Sequence, residues 1–340
     1  MFCPRLDHFV RLNHDGTIGK CGHMVNAKGF KTFKKLDNSQ WLKKIQMDMI
    51  FDEWPDECIR CKQTEDTTGE SIRTKSITRH KILHPLNKDY LIVGGVLDNI
   101  CNSACQTCNS SLSTKIGSLE SKKYPRINNY EKFWKLPQKR IVEVDVNGGE
   151  PTASKNYKKI LANLPRNTKI VRMNTNGSRM IPELENILKK GIMVIVTLSL
   201  DGVDNIHDYV RWPIKWSNYT KTVDAYKKLK SKYKLLKLDF WTTVSCLNVI
   251  DLPKIIEYTK SKDIPHAWAF LNTPNALNVK YKNALTNNAK HILPNKIAIA
   301  EDNSSQLNLF IKRQDYLRKI NFKDYFSFEP SLATKSSANR

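Results

Sequence analysis

No apolar run in this 340-residue chain approaches the roughly 20 residues that a membrane-crossing helix needs. The first residues, Met1-Phe2-Cys3-Pro4-Arg5, also lack the charged-then-apolar pattern of a secretory signal. Acidic residues are scarce: 33 Asp and Glu face 56 Lys and Arg, for a net charge of +23. That imbalance disfavours a basic partner and favours an anionic one, such as RNA, DNA or an acidic peptide. Cysteine is not scarce, at eight residues. All but Cys246 fall in ligand-like groupings within a large chain, so a reducing cytoplasm is expected rather than a disulfide framework. Cys246 stands alone in an apolar strand, where a thiol behaves as a small hydrophobe.

A fourth cysteine is missing from the densest grouping. Cys101-Asn102-Ser103-Ala104-Cys105-Gln106-Thr107-Cys108 directly follows the apolar run Tyr90–Leu97. Three thiolates can hold three irons of a [4Fe–4S] cube and leave the fourth open to a small ligand. A closed structural site would want four protein ligands. A zinc site with a distant fourth ligand, or three unrelated cysteines in a loop, remain alternatives.

A second motif lies one strand further on. Ile141-Val142-Glu143-Val144-Asp145-Val146 reads as a buried strand and runs into Asn147-Gly148-Gly149-Glu150-Pro151. Paired glycines let a backbone approach a ligand closely, and the proline fixes the turn. The Glu150 carboxylate could then pair with a ligand ammonium.

Together the two motifs resemble those of the radical SAM enzymes, which carry a three-Cys loop after the first barrel strand and a Gly-Gly-Glu-Pro turn after the second. The resemblance implies that Cys101, Cys105 and Cys108 ligate a [4Fe–4S] cluster. It implies that S-adenosylmethionine (SAM) chelates the open iron, with Gly148, Gly149, Glu150 and Pro151 holding its methionine amine. Reductive cleavage of SAM to a 5′-deoxyadenosyl radical, followed by hydrogen abstraction from a substrate, is the implied reaction, with a reductase as electron donor. Many members have an aromatic residue at the position of Thr107, so adenine contacts are expected to differ here.

Beyond Tyr90, strand-like runs alternate with amphipathic stretches. The expected strands are Tyr90–Leu97, Ile141–Val146, Lys169–Asn174, Met193–Ser199, Leu238–Cys246 and His266–Leu271. Between them, Ser154–Leu164, Pro182–Lys190, Tyr219–Leu235 and Leu252–Ser261 have helical periodicity, with Gly191 past one end and Asp251 as an N-cap. This pattern predicts an α/β fold with a helix-covered parallel sheet, and the resemblance makes it a partial (β/α)6 TIM-like barrel. Catalytic groups are expected at the C-terminal ends of the strands. Lysines 227, 228, 230, 232 and 234 read as the solvated face of a helix rather than a nucleic-acid groove.

Ser199-Leu200-Asp201-Gly202, with Ile206-His207-Asp208 and Arg211, is similar to the branch of the family that acts on peptides and proteins. By that likeness Ser199 meets the SAM ribose, and Asn174, Asn176 and Arg211 lie near SAM or substrate. A surface ion pair is the alternative for Arg211.

Cys3, Cys21, Cys58 and Cys61 form a separate set before the barrel. By chemistry alone, four thiols suit zinc or a second iron–sulfur cluster equally. The segment Asp15–Ile18 before Cys21, the Trp41-bearing helix within Ser39–Phe51 and the Cys58–Cys61 pair resemble SPASM/twitch auxiliary-cluster domains, here placed ahead of the barrel. The expected organisation is a small Cys-rich domain over 1–85, a barrel over 86–275, and a C-terminal helical extension over 276–340, with a helix around Gln306–Ile320 and a disordered end. A peptide or protein is the leading substrate. Modification of RNA or a nucleotide, and a non-catalytic zinc protein that binds nucleic acid, are the alternatives.

Overall fold

Val142, Val144 and Val146 alternate with Glu143, Asp145 and Asn147 along one strand, and a strand sends successive side chains to opposite faces. Val144 and Val146 pack into a core with Leu91, Val93, Leu97, Tyr157 and Ile160. Glu143 is fully buried and forms an ion pair with Arg79. Burial pushes the Asp145 carboxyl up, against the opposing pull of Arg172 and Arg79. The strand expected from its sequence is therefore buried, but one of its faces is charged.

The computed structural model describes residues 1–83, 89–121, 124–292 and 300–326. Its main sheet has eight strands: β1 (Phe9–Leu12), β2 (Ile18–Gly19), β3 (Leu91–Asp98), β4 (Ile141–Gly148), β5 (Ile170–Thr175), β6 (Met193–Ser199), β7 (Leu236–Val244) and β8 (His266–Phe270). They lie in the order β2-β1-β3-β4-β5-β6-β7-β8. The pairs β1–β3, β3–β4, β4–β5 and β7–β8 are parallel, whereas β2 runs antiparallel to β1. The six expected strands are present with ends shifted by up to two residues, and helices connect them as a parallel sheet requires.

The chain divides into two compact units. One comprises Met1–Ile100, Pro125–Met173 and Glu183–Val194; the other comprises Cys101–Tyr124, Asn174–Pro182 and Ile195–Arg340. In the first, β1 joins the sheet as the parallel neighbour of β3, so residues from the expected N-terminal domain contribute to the main sheet. In the second, Tyr209, Val210, Cys246, Leu271, Leu307, Ile311 and Phe322 share a core. Cys246 thus packs as an apolar side chain.

Helix punctuation follows local chemistry. Ser154 accepts the Tyr157 amide and starts the helix Lys155–Ala162, and Gly191 takes a φ of +75° just past Leu184–Lys189. Asp251 departs from expectation: its carboxylate accepts the Val203 amide at 2.6 Å instead of capping Leu252–Lys262. In the helix Trp216–Lys232, Tyr219, Val223 and Tyr226 are buried while Lys228 and Lys232 are exposed. The expected C-terminal helix spans Ser304–Arg318; the polar end at 331–340 lies outside the described residues. No helix among the described residues is long and apolar enough to cross a membrane.

Gly95 allows β1 and β3 to pair closely. It pairs with Leu12 at a φ of +96°, and a Cβ there would meet the Leu12 carbonyl oxygen at 2.2 Å. Gly95→Ala should therefore cost about 1–3 kcal/mol. Urea denaturation should show a lower midpoint with an unchanged slope.

Candidate active site

The first unit carries the Gly-Gly-Glu-Pro turn. Gly148 ends β4 with a φ of +99°, and a Cβ on Gly149 would meet the Ile100 carbonyl oxygen at 2.2 Å. The Glu150 amide donates to that same oxygen at 2.7 Å. Both glycines are thus demanded by close main-chain contact. The Glu150 carboxylate is buried and accepts from the Thr152 amide at 3.2 Å and its hydroxyl at 2.9 Å. Its orientation is set from within the turn.

Sequence reasoning missed Asp98, which braces the turn. Asp98 is fully buried at the end of β3 and accepts from the Ser154 hydroxyl, the Asn156 amide group and the Ile100 main chain at 2.5, 3.0 and 3.1 Å. Burial pushes its carboxyl up, and these donors oppose the shift. Ser154 was legible as a helix start, but its second role was not.

The same unit gathers the four N-terminal cysteines. Cys3 precedes the helix Pro4–His8, Cys21 follows β2, and Cys58 and Cys61 lie one turn apart around the start of the helix Ile59–Thr68. All four line one cavity, together with His23, Trp54 and Arg73. Burial and the neighbouring thiols push Cys58 up to about 12; burial above all pushes Cys3 up to about 11. The His23 amide donates to Cys21 Sγ at 3.4 Å. Among the described residues, no group of three or more His, Cys, Asp or Glu side chains is placed to hold a metal ion; what the four thiols share is the lining of that cavity. Four thiols are a soft donor set of the kind that zinc or an iron–sulfur cluster takes.

In the second unit, the loop of Cys101, Cys105 and Cys108 is tied at many points. The Cys101 amide donates to Thr114 Oγ1 at 3.1 Å, the Ser103 amide to Cys101 Sγ at 3.4 Å, and the Cys108 amide to the Cys105 carbonyl at 3.2 Å. Ser113 Oγ donates to the Ser103 carbonyl at 2.6 Å. Cys105 is buried, with Cys101 and Cys108 half-buried. Burial, then Cys105 and Cys101 alongside, pushes Cys108 up to about 12. Three thiols in one short loop are the donor chemistry that an iron–sulfur cluster takes.

Asn176 belongs to the loop's support. Its Nδ2 donates to Asn102 Oδ1 at 2.8 Å and to Ser103 Oγ at 2.7 Å. Asn174 lies exposed near the end of β5 and Ser199 half-buried at the end of β6. Arg211 is buried, so the expected alternative of a surface ion pair is corrected: it pairs in the interior with Asp201 at 2.9 Å. Asp201 is held in turn by the Thr243 amide at 2.8 Å. Arg211 Nε has no partner, and its charge acts on Cys105.

Residues 96–256 match the family model described as the Radical SAM superfamily. The chain carries a radical SAM domain. That family implies a [4Fe–4S] cluster and SAM and speaks against the non-catalytic zinc reading. We found no significant match among curated proteins. Similar solved structures include native anSMEcpe with bound AdoMet, at 17% identity and a TM-score of 0.40, covering 68% of this chain and 62% of that one. Streptococcus suis SuiB bound to S-adenosylmethionine aligns at 13% identity and a TM-score of 0.42, covering 96% and 75%. SuiB bound to precursor peptide SuiA aligns at 13% and 0.41, covering 92% and 69%. These likenesses transfer neither reaction nor substrate.

Removing one partner of the buried Asp201–Arg211 pair strands a charge. Asp201→Ala should destabilise the protein by about 3–5 kcal/mol, read from its thermal or denaturant transition.

Proposed function

We propose that Cys101, Cys105 and Cys108 hold a [4Fe–4S] cluster and that the enzyme modifies a peptide or protein. The observation that carries the first part is the loop itself, whose three closely spaced cysteines sit on a segment held by Thr114, Ser113 and Asn176. When bound, the cluster and SAM supply reductive cleavage of the sulfonium and abstraction of a substrate hydrogen. The protein's share is orientation and the exclusion of water. Gly148–Pro151 would receive the methionine end of SAM. The small residues leave the backbone bare there, and Thr152 holds the Glu150 carboxylate in place. Asn174 and Ser199 are assigned SAM or substrate contacts at the ends of their strands. Asn176 and Arg211 are assigned support of the cysteine loop.

Cys3, Cys21, Cys58 and Cys61 would hold a second iron–sulfur cluster of the SPASM/twitch kind, supported by the cavity they share. With every corner ligated by protein, such a cluster suits electron transfer rather than substrate binding. The peptide assignment rests on the Ser199–Arg211 segment and on that auxiliary module. A reductase would supply electrons, and free thiols of this number suit the cytoplasm. The net charge of +23 keeps RNA as the second reading.

Anaerobic reconstitution should yield brown protein with iron and sulfide for two clusters, and 5′-deoxyadenosine when reduced with SAM. Cys101, Cys105 and Cys108 replaced together by Ala should abolish that product while the N-terminal iron remains. Persistence of the product would refute the site. Gly149→Ala should weaken SAM binding about tenfold, a change of roughly 1.4 kcal/mol, measured by equilibrium dialysis on cluster-loaded protein. An RNA substrate predicts binding that falls steeply with added salt; absent or salt-independent binding removes it.

A further inference from the structure

Arg318 ends the helix Ser304–Arg318 and is 4% exposed. Its Nε and Nη2 both donate to the main-chain carbonyl of Ala104, at 2.9 and 2.7 Å. Ala104 is the residue immediately before Cys105. A buried guanidinium whose fork closes on a single carbonyl is a specific and costly arrangement. The helix that presents it is anchored independently: Asp315 accepts from the Tyr209 hydroxyl at 2.9 Å and from the Phe322 amide at 2.7 Å.

The other side of the loop is held by main chain. The Ala104 amide donates to the Trp212 carbonyl at 2.8 Å, and the Gln106 amide to the Val210 carbonyl at 2.9 Å. Arg211 lies between those two acceptors in sequence and faces Asp201. Cys105 is therefore flanked by two pinned peptide groups, the one before it held by Arg318 and the one after it by Val210. Arg211 and Arg318 both act on its sulfur with positive charge, while Asp201 opposes them.

We propose that Arg318 is a positioning residue for the three-cysteine loop, through which the C-terminal helix fixes the seat of Cys105 and raises the reduction potential of the cluster held there. This rests on the reading of the three cysteines as cluster ligands. Fixing the Ala104 peptide limits the directions open to the Cys105 side chain. A cation that cannot be deprotonated favours the more negatively charged, reduced cluster.

The test uses the full chain, anaerobically reconstituted, and follows the cluster whose EPR signal changes when SAM is added. Arg318→Gln should lower that cluster's midpoint potential and release its iron to a chelator about tenfold faster. Arg318→Lys keeps the charge but loses the fork, so it should restore most of the potential and little of the chelator resistance. Arg313→Gln, on the same helix as Arg318, removes an outlying pair with Glu120 and should match the wild type. Wild-type potential, EPR signal and chelation rate in Arg318→Gln would overturn the proposal. Should that variant fail to fold, wild-type chelator resistance in Arg318→Lys would overturn it equally. A wild-type protein with no SAM-responsive cluster would instead refute the ligand reading beneath it.

Discussion

The main chain at Ile100 carries the constraint on which the Gly-Gly-Glu-Pro turn depends. Its carbonyl accepts the Glu150 amide and stands where a side chain at 149 would be, and its own amide is held by Asp98. Fixing one residue at the end of β3 therefore fixes the turn after β4. Asp98 makes this possible by accepting three donors in a site that excludes water. An apolar residue there would leave those donors without an acceptor, which is the costly outcome in a buried site.

Much of this was legible in the amino-acid order. The strands from Leu91 to Phe270 declared themselves by apolar runs between helical periodicities, and both cysteine sets and the paired glycines by spacing. What escaped notice shares a physical character. β1 is four residues long and is a strand because β3 pairs with it, not through any periodicity of its own. Asp98 and Arg318 act through hydrogen bonds to groups far away in sequence, and a carbonyl acceptor leaves no mark on residue type. Arg211 was visible as a charge, but its burial against Asp201 depends on tertiary packing.

The charged face of β4 illustrates the same limit from the other direction. Alternating valines led to the expectation of an apolar interior strand, and those valines do lie in the helix-covered core. The intervening Glu143 and Asp145 are also withdrawn from water, because arginines from other elements oppose their charge. An inward acid is stable only with such a counterion, and a linear reading cannot supply one from a distant helix.

The tie between Arg318 and Ala104 spans 214 residues of chain. During synthesis on a ribosome, the cysteine loop emerges long before the side chain that clamps it. The Ala104 carbonyl meets its guanidinium partner only once the distal helix has been made and has docked, so this part of the loop is completed last.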